Sequence, residues 1–159
     1  MLPALNEIST CQYAPTQDTM DKCKQVLDYA STHPNKTIRY YSSDIILMTD
    51  TYDTYLVLPE ARSSIAGYYY FTNRMLDCFK GTPTPNGPIL TECKTLKTVV
   101  SSSAEAETGG TFENAQNVMP LRHILKTVYL HKQPTKGSPI ITTNVTSQDI
   151  LTRFIKPCK

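Results

Sequence analysis

Two carboxylates in this chain, Asp53 and Glu105, are of the residue type that can hold a hard divalent cation. Asp53 lies within Tyr52-Asp53-Thr54-Tyr55, a run rich in strand formers. Glu105 lies in Ser101-Ser102-Ser103-Ala104-Glu105-Ala106-Glu107, a serine-led run that opens a helical pattern just past a strand. Carboxylate oxygens are the ligands that Mg²⁺ and Mn²⁺ prefer. Each acid also has a structural reading. Ser102 followed by Glu105 makes a capping box, in which hydroxyl and carboxylate satisfy free backbone N–H groups and favour the positive end of the helix dipole. Asp53 could occupy the solvated side of an amphipathic strand. Neighbouring acids are poor substitutes. Asp50 stands three residues from Asp53 and falls on the other strand face, and Glu107 is rotated from Glu105 by about 200° around a helix.

The elements that must position these acids follow from the spacing of apolar residues. Residues 1 to 15 read as irregular. Pro15-Thr16 then starts a helix with Met20, Cys23, Val26, Leu27 and Ala30 on one face, stopped at His33-Pro34-Asn35. Three strand-rich segments follow, from Thr37 to Leu58, Ser64 to Thr72 and Ile89 to Val100, with a turn from Thr82 to Pro88 between the last two. A long helix is expected from Ala104 to about Leu130, with Phe112, Ala115, Val118, Met119, Leu121, Leu125 and Val128 as its apolar stripe. Pro120 should kink or split it, because proline removes a backbone donor. Ile140 to Thr143 reads as a short strand and Ser147 to Phe154 as a final helix. Short connections make the first three strands antiparallel, and a strand returning after a long helix runs parallel to its neighbour. An α/β fold with a mixed sheet and packed helices is the economical result. Within Tyr68-Tyr69-Tyr70-Phe71, alternate rings should pack the core while the others lie on the sheet surface. Base stacking on that cluster is the other use such rings could have.

Composition narrows the class. A length of 159 residues suits one domain with a core, or one domain plus a small appendage. The formal charge is +2, yet Arg122, Lys126, Lys132, Lys136, Arg153, Lys156 and Lys159 face only Asp149 over the last 39 residues, an excess that permits nucleic-acid binding. Cys11, Cys23, Cys78, Cys93 and Cys158 are scattered, with no Cys-x-x-Cys pair, and read as free thiols in a reducing compartment. No signal peptide and no membrane-spanning apolar run is evident, so a soluble, intracellular chain with no membrane partner is expected. The apolar face on residues 20 to 30 could dock on a protein partner or drive self-association.

Several motifs, in shared order, carry a resemblance to one family. Leu5-Asn6-Glu7-Ile8, Pro15-Thr16, Leu27-Asp28-Tyr29 and Thr32-His33-Pro34 come first, followed by Ser43-Asp44, Asp53-Thr54-Tyr55-Leu56, Pro59-Glu60-Ala61-Arg62-Ser63 and Ala66-Gly67. Asn86-Gly87, the run from Ser102 to Glu107, and Pro120-Leu121-Arg122 complete the set. Together they resemble the ribonuclease H region of a copia-type retrotransposon polyprotein, with residues 1–36 as part of the preceding connection and residues 37–159 as the nuclease-like domain. The resemblance implies a ribonuclease H-like fold that hydrolyses the RNA strand of an RNA–DNA hybrid with Mg²⁺ or Mn²⁺. It assigns Asp53 and Glu105 as metal-holding acids and places Asn144 where the family carries a third acid. Arg62, Ser64, Arg122, Lys126, Lys132 and Lys136 become the nucleic-acid contacts.

The departures from the family bear on activity. Asn144 brings an amide oxygen without negative charge, and the fourth family acid lies past the final helix, beyond Lys159. Asp149 would not reach the same site and reads as an early helix charge. Ser64 and Ala66 replace the family's basic residue and first glycine after Arg62-Ser63. The expectation is therefore a truncated, partly degenerate ribonuclease H-like domain with weak or absent cleavage. The alternatives are a non-catalytic scaffold or nucleic-acid-binding subunit, and a decayed reading frame with no selected activity.

Overall fold

The structure, a computed structural model, describes residues 1–73, 86–129 and 138–142. Helices α1 (Leu2–Thr10) and α2 (Gln17–Thr32) precede strand β1 (Ile46–Leu58), β2 (Arg62–Thr72) and β3 (Pro88–Thr95), then helix α3 (Ser103–Val128) and strand β4 (Ile140–Ile141). The sheet order is β3-β2-β1-β4, with β1–β2 and β2–β3 antiparallel and β1–β4 parallel. This is the α/β fold with a mixed sheet that the element order implies.

Several boundaries differ from expectation for local reasons. Residues 2–10 are helical because Pro3 sits in the first turn, where its missing N–H has no intrahelical partner to lose. The segment before β1 stays out of the ladder, since its backbone bonds to side chains. Tyr41 N–H donates to Asn86 Oδ1 (2.8 Å), Asn86 Nδ2 donates back to the Tyr41 carbonyl (2.9 Å), and Asp44 N–H donates to Asn73 Oδ1 (3.0 Å). Helix α3 runs unbroken through Pro120. Both Pro120 and Gln116, whose carbonyl the proline cannot serve, lie on the exposed side. The expected helix at 147–154 lies outside the described residues.

The face that α3 buries keeps Val118 and Leu125 of the expected stripe but is otherwise different. Ala106, Gly110, Thr111, Asn114, Val118 and Leu125 are buried, whereas Phe112, Met119 and Val128 are exposed. The core divides in two. Ile65, Leu96, Val100 and Ala106 form one apolar cluster at the start of α3, and Leu47, Tyr69, Val118 and Leu125 form the other toward its end. Between them runs a polar seam. The Tyr69 hydroxyl donates to Asn114 Oδ1 (2.9 Å), Asn114 Nδ2 donates to the Ala66 carbonyl (3.1 Å), and Asn117 Nδ2 donates to the Tyr69 oxygen (3.1 Å) and to Glu92 Oε2 (2.5 Å). Gly67 makes the seam possible, because a Cβ there would lie 2.6 Å from Asn114 Oδ1 and 2.8 Å from the Tyr69 ring. Gly110 brings α3 close to the sheet in the same way, its Cβ position lying 3.0 Å from Ile65 Cγ2.

Tyr70 is as fully buried as Tyr69, on the opposite face, so it does not lie on the sheet surface. Its hydroxyl donates to Asp50 Oδ1 at 3.5 Å. Helix α1 reaches β3 through Asn6 Nδ2 and Thr95 Oγ1 (3.4 Å), while Met20 and Leu27 of α2 remain exposed.

The seam yields a test. Asn114→Ala removes the side-chain bond to the Ala66 carbonyl and leaves the Tyr69 hydroxyl proton only the backbone carbonyl of residue 114 at 3.5 Å, and should cost about 2 kcal/mol of stability. Gly67→Ala should also destabilise, through the clash with Asn114. Denaturant unfolding measures both, and a neutral Asn114→Ala would show that the seam does not hold α3.

Candidate active site

Asp53 is placed by the β1–β2 ladder, opposite Ile65. Side chains alternate along β1, so Leu47, Thr49, Thr51 and Asp53 share the face covered by α3, and Asp50 points to the other. Asp50 meets Tyr70 there, and burial pushes its carboxyl above the usual range against the lowering effect of that hydrogen bond.

The glutamate that meets Asp53 is Glu107. The two carboxyl groups are in hydrogen-bond contact, and Asp53 is pushed up from 3.8 to about 6 by burial first and by the Glu107 charge and hydrogen bond next. Glu107 Oε2 also accepts from Thr142 Oγ1 at 3.1 Å, so β1, α3 and the end of β4 converge at this point.

Glu105, which the resemblance assigns as the helix-borne acid, lies elsewhere. Its Oε2 accepts from the Ser101 backbone N–H and from the Ser101 hydroxyl, both at 2.8 Å, and its own N–H donates to Ser102 Oγ at 3.1 Å. These bonds hold the Glu105 carboxyl below the usual carboxylate range, the backbone N–H contributing most. Glu105 belongs to the first turn of α3, whose N-cap is Ser102. The rotation of about 200° between the two glutamates is real, but it puts Glu107, rather than Glu105, on the side facing β1. A signal for this existed in the sequence: Glu107 lies three, four, seven and eleven residues before Gly110, Thr111, Asn114 and Val118, which are the buried positions of the helix.

The proposed nucleic-acid contacts are dispersed. Arg62 Nη1 donates to the Lys97 carbonyl (2.8 Å), and Ser64 is buried with its hydroxyl 2.7 Å from Thr54 Oγ1, which takes it out of any surface contact. Arg122 Nη1 donates to Ser138 Oγ (2.8 Å), and Lys126 is exposed in the last turn of α3, where it complements the helix dipole. Asn144, Lys132 and Lys136 lie outside the described residues.

The pair suits a divalent cation. Two anionic oxygen groups held together at neutral pH repel each other, and a hard cation between them removes that cost. Among the described residues no group of three or more His, Cys, Asp or Glu side chains converges. Comparison with protein-family models, with curated proteins and with solved structures gives no match in any of the three.

The raised Asp53 value sets a pH dependence. Folding favours the protonated acid, so the stability this group contributes is full below pH 3.8 and is lost as pH rises through about 6. After discounting for solvent screening this is about 1 kcal/mol. Asp53→Asn should therefore raise the melting temperature by about 2–4 °C at pH 7.5 and leave it unchanged at pH 4. Thermal melts across this range measure it, and an equal gain at both ends would exclude charge repulsion as the cause.

Proposed function

We propose that this chain is a ribonuclease H-like domain of retroelement ancestry, with Asp53 and Glu107 as a reduced metal-binding site that cleaves the RNA strand of an RNA–DNA hybrid slowly. The observation that carries the reading is the contact between Asp53 on β1 and Glu107 on α3, beside a β4 that runs parallel to β1. A strand acid and a helix acid meeting over a mixed sheet is what the motif resemblance implies, with the helix acid moved by two residues.

Asp53 and Glu107 would hold Mg²⁺ or Mn²⁺. When bound, the cation supplies Lewis-acid activation of a phosphodiester. The residues of the chain do the rest: the acids fix the position of the cation, Thr142 fixes Glu107, and the exposed Lys126 offers charge to a phosphate backbone. On the motif resemblance Asn144 stands in place of a third acid, which would leave the site short of negative charge and turnover slow. The reading places the protein in the cytoplasm or nucleus, a reducing setting in keeping with the free thiols of Cys11, Cys23 and Cys93. No helix among the described residues is long and apolar enough to cross a membrane.

Cleavage of a labelled RNA–DNA hybrid in Mn²⁺ tests this. We expect slow cleavage by the native chain, lost by about 100-fold or more in Asp53→Asn and Glu107→Gln, retained in Glu105→Gln, and raised in Asn144→Asp. Absence of cleavage by both the native chain and Asn144→Asp would replace the nuclease with a non-catalytic nucleic-acid-binding or scaffold module. Loss in Glu105→Gln with retention in Glu107→Gln would return the helix acid to Glu105.

A further inference from the structure

We infer that Thr142 is a positioning residue that holds the Glu107 carboxylate against Asp53, and that the site is built from three elements rather than two. The inference rests on the reading of Asp53 and Glu107 as a cation-binding pair, and adds the group that makes the pair persist.

A glutamate side chain has three rotatable bonds, and at neutral pH its charge is repelled by Asp53. Nothing in that pair alone keeps Glu107 from swinging into solvent. Thr142 supplies a restraint from the sheet, with its hydroxyl donating to Glu107 Oε2 at 3.1 Å. Its own position is set independently of α3. The preceding residues pair with β1 in parallel register, Thr49 with Ile140 and Asp50 with Ile141. The Thr51 hydroxyl donates to the Ile141 carbonyl at 3.0 Å, fixing the backbone one residue before Thr142. The anchor therefore belongs to the sheet, 35 residues along the chain from the carboxylate it holds. A hydroxyl suits this role because it donates a hydrogen bond to an anion without bringing a charge of its own. An acid at the same place would add to the repulsion.

The test is a double-mutant cycle on the full chain in metal-free buffer at pH 7.5. Thr142→Val keeps the shape and removes the donor, and Thr142→Ser keeps the donor. Thr142→Val should lower the melting temperature in the Asp53→Asn background and clearly less in the native background, where the freed Glu107 escapes the Asp53 charge and so offsets part of the lost hydrogen bond. Thr142→Ser should restore the native value. Equal losses in the two backgrounds would overturn the inference, since a purely structural threonine has no reason to sense Asp53. Titration with Mn²⁺, followed by the resonance signal of the free ion, separates this from the underlying reading. Thr142→Val should weaken binding about tenfold, with recovery in Thr142→Ser. Non-additive melts with no Mn²⁺ binding by the native chain would remove the cation and keep the positioning role. Additive melts with intact Mn²⁺ binding would keep the cation and remove Thr142.

Discussion

The hydrogen bond from the Tyr69 hydroxyl to Asn114, wholly buried between sheet and helix, fixes where α3 stands on the sheet. Apolar contact alone would not do so. Hydrophobic surface is indifferent to small slides, and the exposed Phe112, Met119 and Val128 show that α3 carries apolar residues on more than one side. A shift of one helical turn, about 5.4 Å, would strip Asn114 of both its partners in the low-dielectric interior, where unpartnered polar groups are costly. The seam therefore acts as a registration mark along the helix. Glu107 lies two turns before Asn114 on nearly the same side, so the bond that aligns Asn114 with Gly67 also aligns Glu107 with Asp53.

That alignment brings two like charges together, an arrangement that opposes folding at neutral pH. The fold tolerates it because the two apolar clusters flanking the seam supply stability on either side. It is also why the pair is a candidate site. A surface glutamate with no task would turn to solvent, as Glu105 would if Ser101 did not hold it at the cap. Glu107 instead stands between an acid and a hydroxyl drawn from two distant strands. Two glutamates of one short run thus do different work. One closes the first turn of the helix, and the other faces the sheet.

Much of this architecture is legible in the residues. The strands announce themselves through Ile, Thr and Tyr, α3 through the Ser102 cap, and the parallel return of β4 through the length of the helix before it. Asp53 is legible as a strand acid, and Asp50 is excluded from its face by alternation alone. The burial of α3 is less so, because reading the helix by residue type favours Phe112 and Met119 over Gly110, Thr111 and Asn114. Those small and polar residues are buried for reasons that lie on other elements: Gly110 because Ile65 is close, Asn114 because Gly67 leaves room for it. The choice of Glu105 over Glu107 has the same origin. Motif position selects the acid at the cap, whereas helix phase, once the true buried face is known, selects the one two residues later.

The attachment of β4 gives the site an uneven stiffness. Asp53 sits in the β1–β2 ladder, which pairs continuously from Ile46 to Thr54, and Glu107 sits in a helix of 26 residues. Thr142 follows a strand of two residues, joined to β1 by a short parallel register, the Thr49 N–H to Pro139 carbonyl bond and the Thr51 hydroxyl. Few shared bonds mean a shallow restoring force, so this wall yields first when the site is strained. Asp53 behaves as the fixed jaw of a vice and Glu107, tied to β4 through Thr142, as the jaw on a spring. Movement of β4 would carry the Glu107 carboxylate with it and change the spacing of the two acids.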